Sequence, residues 1–220
     1  MSRIGRWLAG TASIVVALAG SPVVAAPPAY AAPCPDVEVV FARGHVRASR
    51  VGATGQAFVD SLRAKTNGKS VDVYAVNYPA SLDFATAAAG VIDASNRVVE
   101  MSQNCPPATK IVLGGYSQGA AVAAYITEDA IPPEGYTPPP GMSGPMPPSV
   151  ADHVAAVTLL GKPSSGFLQL IYTGAPPIDV GPPRYAGKTL DLCIPPEDPP
   201  VCSPTGGDNG AHGGLHDQGV

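Results

Sequence analysis

Charge is scarce in this sequence. Only 14% of its 220 residues are charged, and 13 Lys and Arg residues stand against 17 Asp and Glu residues, which leaves a formal net charge of −4. Proteins that bind nucleic acid neutralise its phosphates with clusters of Lys and Arg. The charge balance therefore argues against DNA or RNA as a partner. Disorder is excluded as well, because 45% of the residues are hydrophobic.

Long apolar runs are missing too. The longest, residues 7–20, follows two arginines and ends at a Ser-Pro pair, short of the roughly 18 residues that cross a membrane. Small residues at 29–31 then offer an A-x-A cleavage site, so the pattern predicts a secretory signal peptide over residues 1–32. An uncleaved anchor is the alternative. Cleavage would remove the only tryptophan, Trp7, and would leave 11 basic residues against 17 acidic ones, a formal charge of −6.

Cysteines are few: Cys34, Cys105, Cys193 and Cys202. In an exported chain four cysteines predict two disulfides, since thiols there meet an oxidising compartment. Three pairings are possible. We favour Cys34 with Cys105, because each lies just before a run that would form one of two neighbouring parallel strands, and Cys193 with Cys202. A zinc site is the competing interpretation, but no C-x-x-C pair supports it.

Short apolar runs rich in β-branched residues are typical of buried parallel strands. There are five, at residues 37–44, 71–79, 110–117, 153–163 and 188–193. Helix-like stretches separate the first three and follow the third. This alternation predicts a single α/β domain over residues 33–220, with a central five-stranded parallel sheet, helices on both faces and an active site at the strands' carboxyl ends. Residues 131–149 are too rich in Pro and Gly for helix or strand and predict a stiff insertion.

One serine stands between a strand-like run and a helix-like run. Gly115-Tyr116-Ser117-Gln118-Gly119 matches G-x-S-x-G in the context that a nucleophile elbow requires. The glycines permit a sharp turn that strains the backbone of the serine. A serine that only caps the helix is the alternative, and the context favours the nucleophile.

An activated serine needs a base, usually a histidine that a carboxylate orients, and this fold supplies them in the order Ser, Asp or Glu, His. Three histidines follow Ser117: His153, His212 and His216. His153 opens a predicted buried strand and is expected to be structural. Asp198 lies directly after a predicted strand, in a Pro-rich loop between the last two cysteines, where an orienting acid has to be held. A solvated turn acid is the alternative.

Five segments carry a family resemblance: CPDVEVVFARG, YAVNYPAS, IVLGGYSQGA, VAAVTLLGKPSSGF, and LCIPPEDPPVCSP followed by Ala-His. Together they resemble the cutinase family of secreted α/β-hydrolases, and most of all its actinobacterial cutinase-like esterases. The resemblance covers most of residues 34–212 apart from the insertion. By position it implies Ser117 as the nucleophile, Asp198 as the orienting acid and His212 as the base. It also implies the disulfide pairing that we favour.

The sequence departs from the family pattern at three places. The acid loop has one residue more than the usual D-P-x-C, which leaves Glu197 as a second candidate acid. The residue after FARG is usually Ser or Thr, whose N–H and hydroxyl help to form the oxyanion hole; here it is His45. The backbone N–H groups of His45 and Gln118 could still supply two donors, but with the hydroxyl lost we expect lower activity than in typical members. After His212 the sequence lacks the family's usual terminal helix.

The resemblance implies a secreted serine carboxylesterase that hydrolyses short- to medium-chain carboxylic esters, polyesters or lipid esters without a metal or organic cofactor. A phospholipase or lipase with the same triad is one alternative, and a weakly active or non-catalytic secreted binding protein is another. We expect a monomer outside the cell or at the cell wall, in transient contact with lipid or cell-envelope surfaces. Apolar residues that could contact an acyl chain, or simply pack, are Phe167, Leu168, Leu170, Ile171 and Ile178.

Overall fold

Five parallel strands form the central sheet of the protein, which we describe from a computed structural model. Their bounds are β1 Val37–Ala42, β2 Val71–Ala75, β3 Lys110–Tyr116, β4 Val154–Leu160 and β5 Thr189–Leu192. They lie in the order β2-β1-β3-β4-β5. The predicted five-stranded parallel sheet is confirmed. β1 to β4 end before the predicted residues, because the strand ladder stops where the chain turns into the loops at the carboxyl edge.

The structure describes residues 34–45, 50–129, 140–142, 144–163, 167–168, 172–178 and 183–192. All of them belong to one unit that spans residues 33–220. The predicted signal peptide lies outside the described residues, and the Pro-rich insertion lies only partly within them. The end of that insertion begins a 3₁₀ helix, Pro148–Asp152. No helix in the described ranges has both the length and the apolar character needed to cross a bilayer.

Helices cover the sheet on both faces. Those that the structure describes along their whole length are α1 Gly52–Lys65, α2 Ala87–Asn104 and α3 Gln118–Tyr125. β1 lies between β2 and β3, so its side chains are buried on both faces of the sheet, alternating with the period of two that a strand imposes. Phe41 packs with Val59 of α1 on one face, whereas Val40 packs with Val98 of α2 and Val122 of α3 on the other. The prediction of helices on both faces is confirmed.

A buried ion pair ties α2 to β1. Glu38 is only 2% exposed, and its Oε1 accepts hydrogen bonds from Arg97 Nε at 3.0 Å and Nη2 at 2.7 Å. A carboxylate is tolerated in such a place only when it is paired and hydrogen-bonded. The Arg97 side chain also reaches Glu100 at 3.0 Å on the exposed side of the helix.

A disulfide joins Cys34 to Cys105, with 5.7 Å between their Cα atoms. Cys34 precedes β1, and Cys105 follows α2 shortly before β3, the strand next to β1. The predicted pairing of these two cysteines is confirmed for the reason given, since adjacent parallel strands bring their amino ends together. Cys193 and Cys202 lie outside the described residues, so their pairing stays a prediction.

Candidate active site

Ser117 occupies a strained turn between β3 and α3. Its φ and ψ are 55° and −120°, a region that residues with a side chain rarely adopt, and it is 4% exposed. Its N–H donates to the carbonyl oxygen of Leu160 at 2.9 Å, and its own carbonyl accepts from Ala120 at 2.9 Å. Two strand ends and the first turn of α3 therefore hold the serine in this conformation.

Glycine is required on both sides of the serine. A Cβ on Gly115 would lie 2.0 Å from the carbonyl oxygen of Gly119. A Cβ on Gly119 would lie 2.0 Å from the carbonyl oxygen of Ala42, the last residue of β1. Both positions are in backbone contact, so the glycines of the G-x-S-x-G motif serve the close packing that the motif predicts.

The loop after β1 runs beside the serine. A Cβ on Gly44 would lie 3.4 Å from the Cβ of Ser117 and 2.9 Å from the Cδ1 of Tyr116. His45 comes next, and its ring centre is 5.9 Å from that of Phe84. The structure thus brings the segment of one predicted oxyanion residue, His45, next to the predicted nucleophile.

Gln118, the other predicted oxyanion residue, is the first residue of α3. N–H groups in the first turn of a helix have no partner within the helix and carry partial positive charge. The side chain of Gln118 is fully buried, and its Nε2 donates to the carbonyl oxygen of Ser81 at 3.1 Å. Its Oε1 has no hydrogen-bond partner among the described residues. The sequence motif carries no signal of this side-chain contact, because Ser81 is 37 residues away.

The predicted acid and base lie outside the part of the chain that the structure describes: Asp198, Glu197, His212 and His216. His153 is placed, and it precedes β4. The neighbour of Val154 on β3 is Ile111, six residues before Ser117, so His153 lies about 20 Å from the serine along the strands. It cannot serve as the base, which agrees with its predicted structural role.

Two of the described carboxylates that follow Ser117, Asp129 and Asp191, have partners of their own. Asp129 pairs with Arg184. Asp191 of β5 pairs with Lys162, whose Nζ lies 3.6 Å from Asp191 Oδ2 at the carboxyl edge of the sheet. Burial raises the pKa of Asp191, and the neighbouring ammonium only partly opposes that effect. The sequence contains no signal of this pair, in which Lys162 itself is only 6% exposed.

An apolar cluster flanks the first turn of α3. Ala121, whose N–H donates to the Ser117 carbonyl at 3.3 Å, is buried with Leu168 and Ala175. Partly buried side chains around them are those of Phe84, Tyr125, Tyr172 and Ile178. Leu168 is 3% exposed and is therefore a packing residue, whereas Phe167 and Ile178 are partly exposed. Leu170 and Ile171 lie outside the described residues.

No group of three or more His, Cys, Asp or Glu side chains that could hold a metal ion occurs within the described ranges. The described site brings together one strained serine, the N–H groups beside it and an apolar surface. Such a combination suits acyl transfer, in which a tetrahedral oxyanion needs backbone donors.

Comparison with known proteins finds a family model, protein relatives and a solved structure that are similar to this chain. A family model described as Cutinase matches residues 33–219. Carboxylesterase Culp1 of Mycobacterium tuberculosis is 46% identical over 207 residues, 94% of this chain and 83% of that protein. Phospholipase Culp4 of the same organism is 44% identical over 209 residues, which cover 90% of this chain and 84% of that protein. Trichoderma reesei cutinase, solved with a phosphonate inhibitor, matches with a TM-score of 0.53 and 32% identity over 74% of this chain and 62% of that one.

Proposed function

The chain belongs to the cutinase family, and on that premise we propose that it is a secreted carboxylic ester hydrolase with Ser117 as its nucleophile. The observation that carries the proposal is the strained conformation of Ser117, with φ at 55° in a residue that is not glycine. A protein keeps such strain when the surroundings impose it, and it concentrates at sites of chemistry. A serine that only capped a helix would need no such conformation.

The proposed reaction follows the Ser-His-Asp scheme. His212 takes the proton of Ser117 as the hydroxyl oxygen attacks the ester carbonyl, and Asp198 orients the imidazole. The N–H groups of His45 and Gln118 donate to the oxyanion. His212 then gives the proton to the leaving alcohol, and a water molecule releases the acyl group by the same steps. No cofactor enters this scheme.

The apolar cluster beside α3 supports the proposal that the substrates are esters with acyl chains of short to medium length. Ala121 lies one turn after the nucleophile, and the partly buried rings of Phe84 and Tyr172 pack around it. Each methylene of an acyl chain that is buried against such a surface stabilises binding by about 0.8 kcal/mol. Culp1 is named a carboxylesterase, which agrees with this substrate class.

Hydrolysis of p-nitrophenyl acetate, butyrate, octanoate and laurate tests the proposal. We expect turnover by the wild type, none by Ser117→Ala, and unchanged turnover by Ser102→Ala, a control serine on α2. A fluorophosphonate probe should label Ser117, since only an activated serine reacts. If the wild type hydrolyses these esters no faster than Ser117→Ala and does not take the label, the esterase proposal is rejected. A non-catalytic secreted protein is then favoured.

Paired variants test the proposed acid and base. His212→Ala should lower kcat about 10³-fold or more, whereas His216→Ala should leave it nearly unchanged. Asp198→Asn should lower kcat by a far larger factor than Glu197→Gln. The reverse order in either pair would reassign the role to the neighbouring residue.

Phospholipid is the second candidate substrate, because Culp4, which is named a phospholipase, is 44% identical to this chain. Tributyrin and dispersed phosphatidylcholine, compared at equal ester concentration, discriminate the two activities. Faster hydrolysis of the phospholipid would replace the carboxylesterase proposal while keeping the same nucleophile.

Secretion has its own test. The small residues at 29–31 predict cleavage near Ala31 or Ala32, so protein recovered from the culture medium should begin at Ala32 or Pro33. Protein that stays in the cell and begins near Met1 would contradict export.

A further inference from the structure

The side chains of Arg43 and Tyr78 each donate a hydrogen bond to the backbone carbonyl of the other residue. Arg43 Nη2 donates to the carbonyl oxygen of Tyr78 at 2.7 Å and to that of Pro79 at 3.2 Å. In return, the Tyr78 hydroxyl donates to the carbonyl oxygen of Arg43. The guanidinium carbon lies 5.2 Å from the centre of the Tyr78 ring, within the range of a cation–π contact. The loop after β1 and the loop after β2 are therefore joined in both directions.

Tyr78 is itself firmly placed. It is 4% exposed, and a Cβ on Gly90 of α2 would lie 3.0 Å from its ring, so the helix backs the ring closely. Burial raises the pKa of the Tyr78 hydroxyl, although the charge of Arg43 opposes this. Since the ordinary pKa of tyrosine is already about 10, the Tyr78 hydroxyl stays protonated and remains a donor at neutral pH.

The carbonyl that Tyr78 holds belongs to the peptide between Arg43 and Gly44. Gly44 has no side chain to anchor it, and the site for one is filled by Tyr116 and Ser117. The next peptide carries the N–H of His45, one of the two proposed oxyanion donors. With a glycine between them, the direction of that N–H depends on how firmly the preceding peptide is fixed.

The loop after β2, residues 78–84, also contacts both proposed oxyanion residues. Its Ser81 carbonyl accepts from the side chain of Gln118, and its Phe84 ring lies 5.9 Å from that of His45. At the end of the loop, Asp83 Oδ1 accepts from the N–H of Ala85 at 3.2 Å and caps a 3₁₀ helix, Phe84–Thr86. One loop thus braces the two segments whose N–H groups would have to converge on a single oxygen.

We propose that Tyr78 is a positioning residue for catalysis: by holding the Arg43 carbonyl, its hydroxyl sets the direction in which the His45 N–H meets the oxyanion. The inference rests on the proposed esterase function. An oxyanion donor acts mainly in the transition state, so the effect of losing this anchor falls on kcat rather than on KM.

Tyr78→Phe tests the proposal, with Tyr74→Phe as a matched control. Tyr74 also has a hydroxyl bond, to Asp93, and a guanidinium, that of Arg97, 5.1 Å from its ring, but it braces α2 instead of the loop after β1. We expect Tyr78→Phe to lower kcat about 10- to 100-fold with KM within about twofold, and to weaken a trifluoromethyl ketone inhibitor by the same factor as kcat/KM. Tyr74→Phe should change none of these values.

Amide hydrogen exchange, measured by NMR, supplies a readout that needs no turnover. The amides of Gly44 and His45 should exchange faster in Tyr78→Phe than in the wild type or Tyr74→Phe. Unchanged exchange, or a kcat equal to that of the wild type, overturns the positioning role. A wild type without Ser117-dependent hydrolysis counts against the esterase function instead, because the exchange comparison stands without it.

A second variant covers the case in which Tyr78→Phe fails to fold. Gly90→Ala keeps the hydroxyl but makes the Tyr78 ring give way by a few tenths of an ångström. It should lower kcat in the same direction, by a smaller factor and again without a change in KM. Full activity in a folded Gly90→Ala protein whose Gly44 amide exchanges as in the wild type would also overturn the inference.

Discussion

Gly119 touches the backbone of Ala42: a Cβ at position 119 would lie only 2.0 Å from the Ala42 carbonyl oxygen. The contact joins the first turn of α3 to the last residue of β1. Since the loop beside Ser117 begins immediately after Ala42, this contact also fixes the distance between the nucleophile and that loop. Backbone against backbone leaves no flexible side chain that could move aside.

Gly119→Ala should therefore destabilise the protein and remove most of its activity. Overpacking typically costs about 1–3 kcal/mol of unfolding free energy, and here only backbone can yield, so we expect the upper end. Gly187→Ala is the control, because nothing lies within 4 Å of a Cβ there. Urea denaturation of both variants provides the measurement, and equal midpoints would show that α3 can shift without cost.

Ser117→Gly should stabilise the protein while it abolishes esterase activity. Glycine adopts the observed φ of 55° without steric cost, and relief of such strain is worth about 1–3 kcal/mol, partly offset by the greater freedom of glycine in the unfolded chain. Ser117→Ala removes the hydroxyl but keeps the strain, so it should be inactive without a gain of that size. Equal unfolding free energies for the two variants would argue that the turn is not strained.

Arg97→Met should be strongly destabilising, because it leaves the Glu38 carboxylate buried without its partner. Breaking a buried pair in this way costs about 3–5 kcal/mol. Glu100→Gln removes only the exposed partner of the same arginine and should cost less than about 1 kcal/mol. The double variant Glu38→Leu with Arg97→Met should regain most of the lost unfolding free energy, measured by urea denaturation. If it does not, the ion pair also fixes the position of α2.

Asp36 should make stability depend on pH in acid. The backbone N–H of Ser70, at 2.8 Å, and its hydroxyl, at 2.9 Å, donate to Asp36 Oδ2 and hold the pKa of that carboxyl below its usual value. The folded pKa lies below the unfolded one, so the ionised carboxylate stabilises the fold above about pH 4, and this contribution disappears as the pH falls through the folded pKa.

Asp36→Asn should accordingly be less stable than the wild type at pH 6, with the difference shrinking towards pH 2. Urea denaturation at several pH values gives the two curves. Curves that stay parallel throughout would show that the hydrogen bonds from Ser70 do not favour the charged form.

Local sequence was a good guide to much of the fold. The alternation of short β-branched runs with helix-like stretches predicts the five strands, and the position of Cys34 and Cys105 before two such runs predicts their disulfide. Strand ends were less predictable, because an apolar run continues into the loops at the carboxyl edge. There the side chains stay buried after the ladder has stopped, as those of Val76 and Tyr78 show after β2.

Apart from this disulfide, contacts between distant segments were not predictable. Nothing around Glu38 indicates that a carboxylate in the middle of β1 is buried, since its partner Arg97 is 59 residues away. The same holds for Arg43 and Tyr78, 35 residues apart, and for Lys162 and Asp191. Each pair depends on which loops and strand ends the sheet order places side by side, and that order is a property of the whole chain.

The sequence by itself determined the turn at Ser117, because a strand, two glycines and a helix in immediate succession leave few other conformations. It also determined the order in which candidate acids and bases follow. Only the tertiary structure decided what surrounds that serine. Long-range packing placed Gly44 beside it, put His153 at the far edge of the sheet and connected the loop after β2 to both His45 and Gln118, because such contacts form only once parallel strands have brought remote segments to one edge.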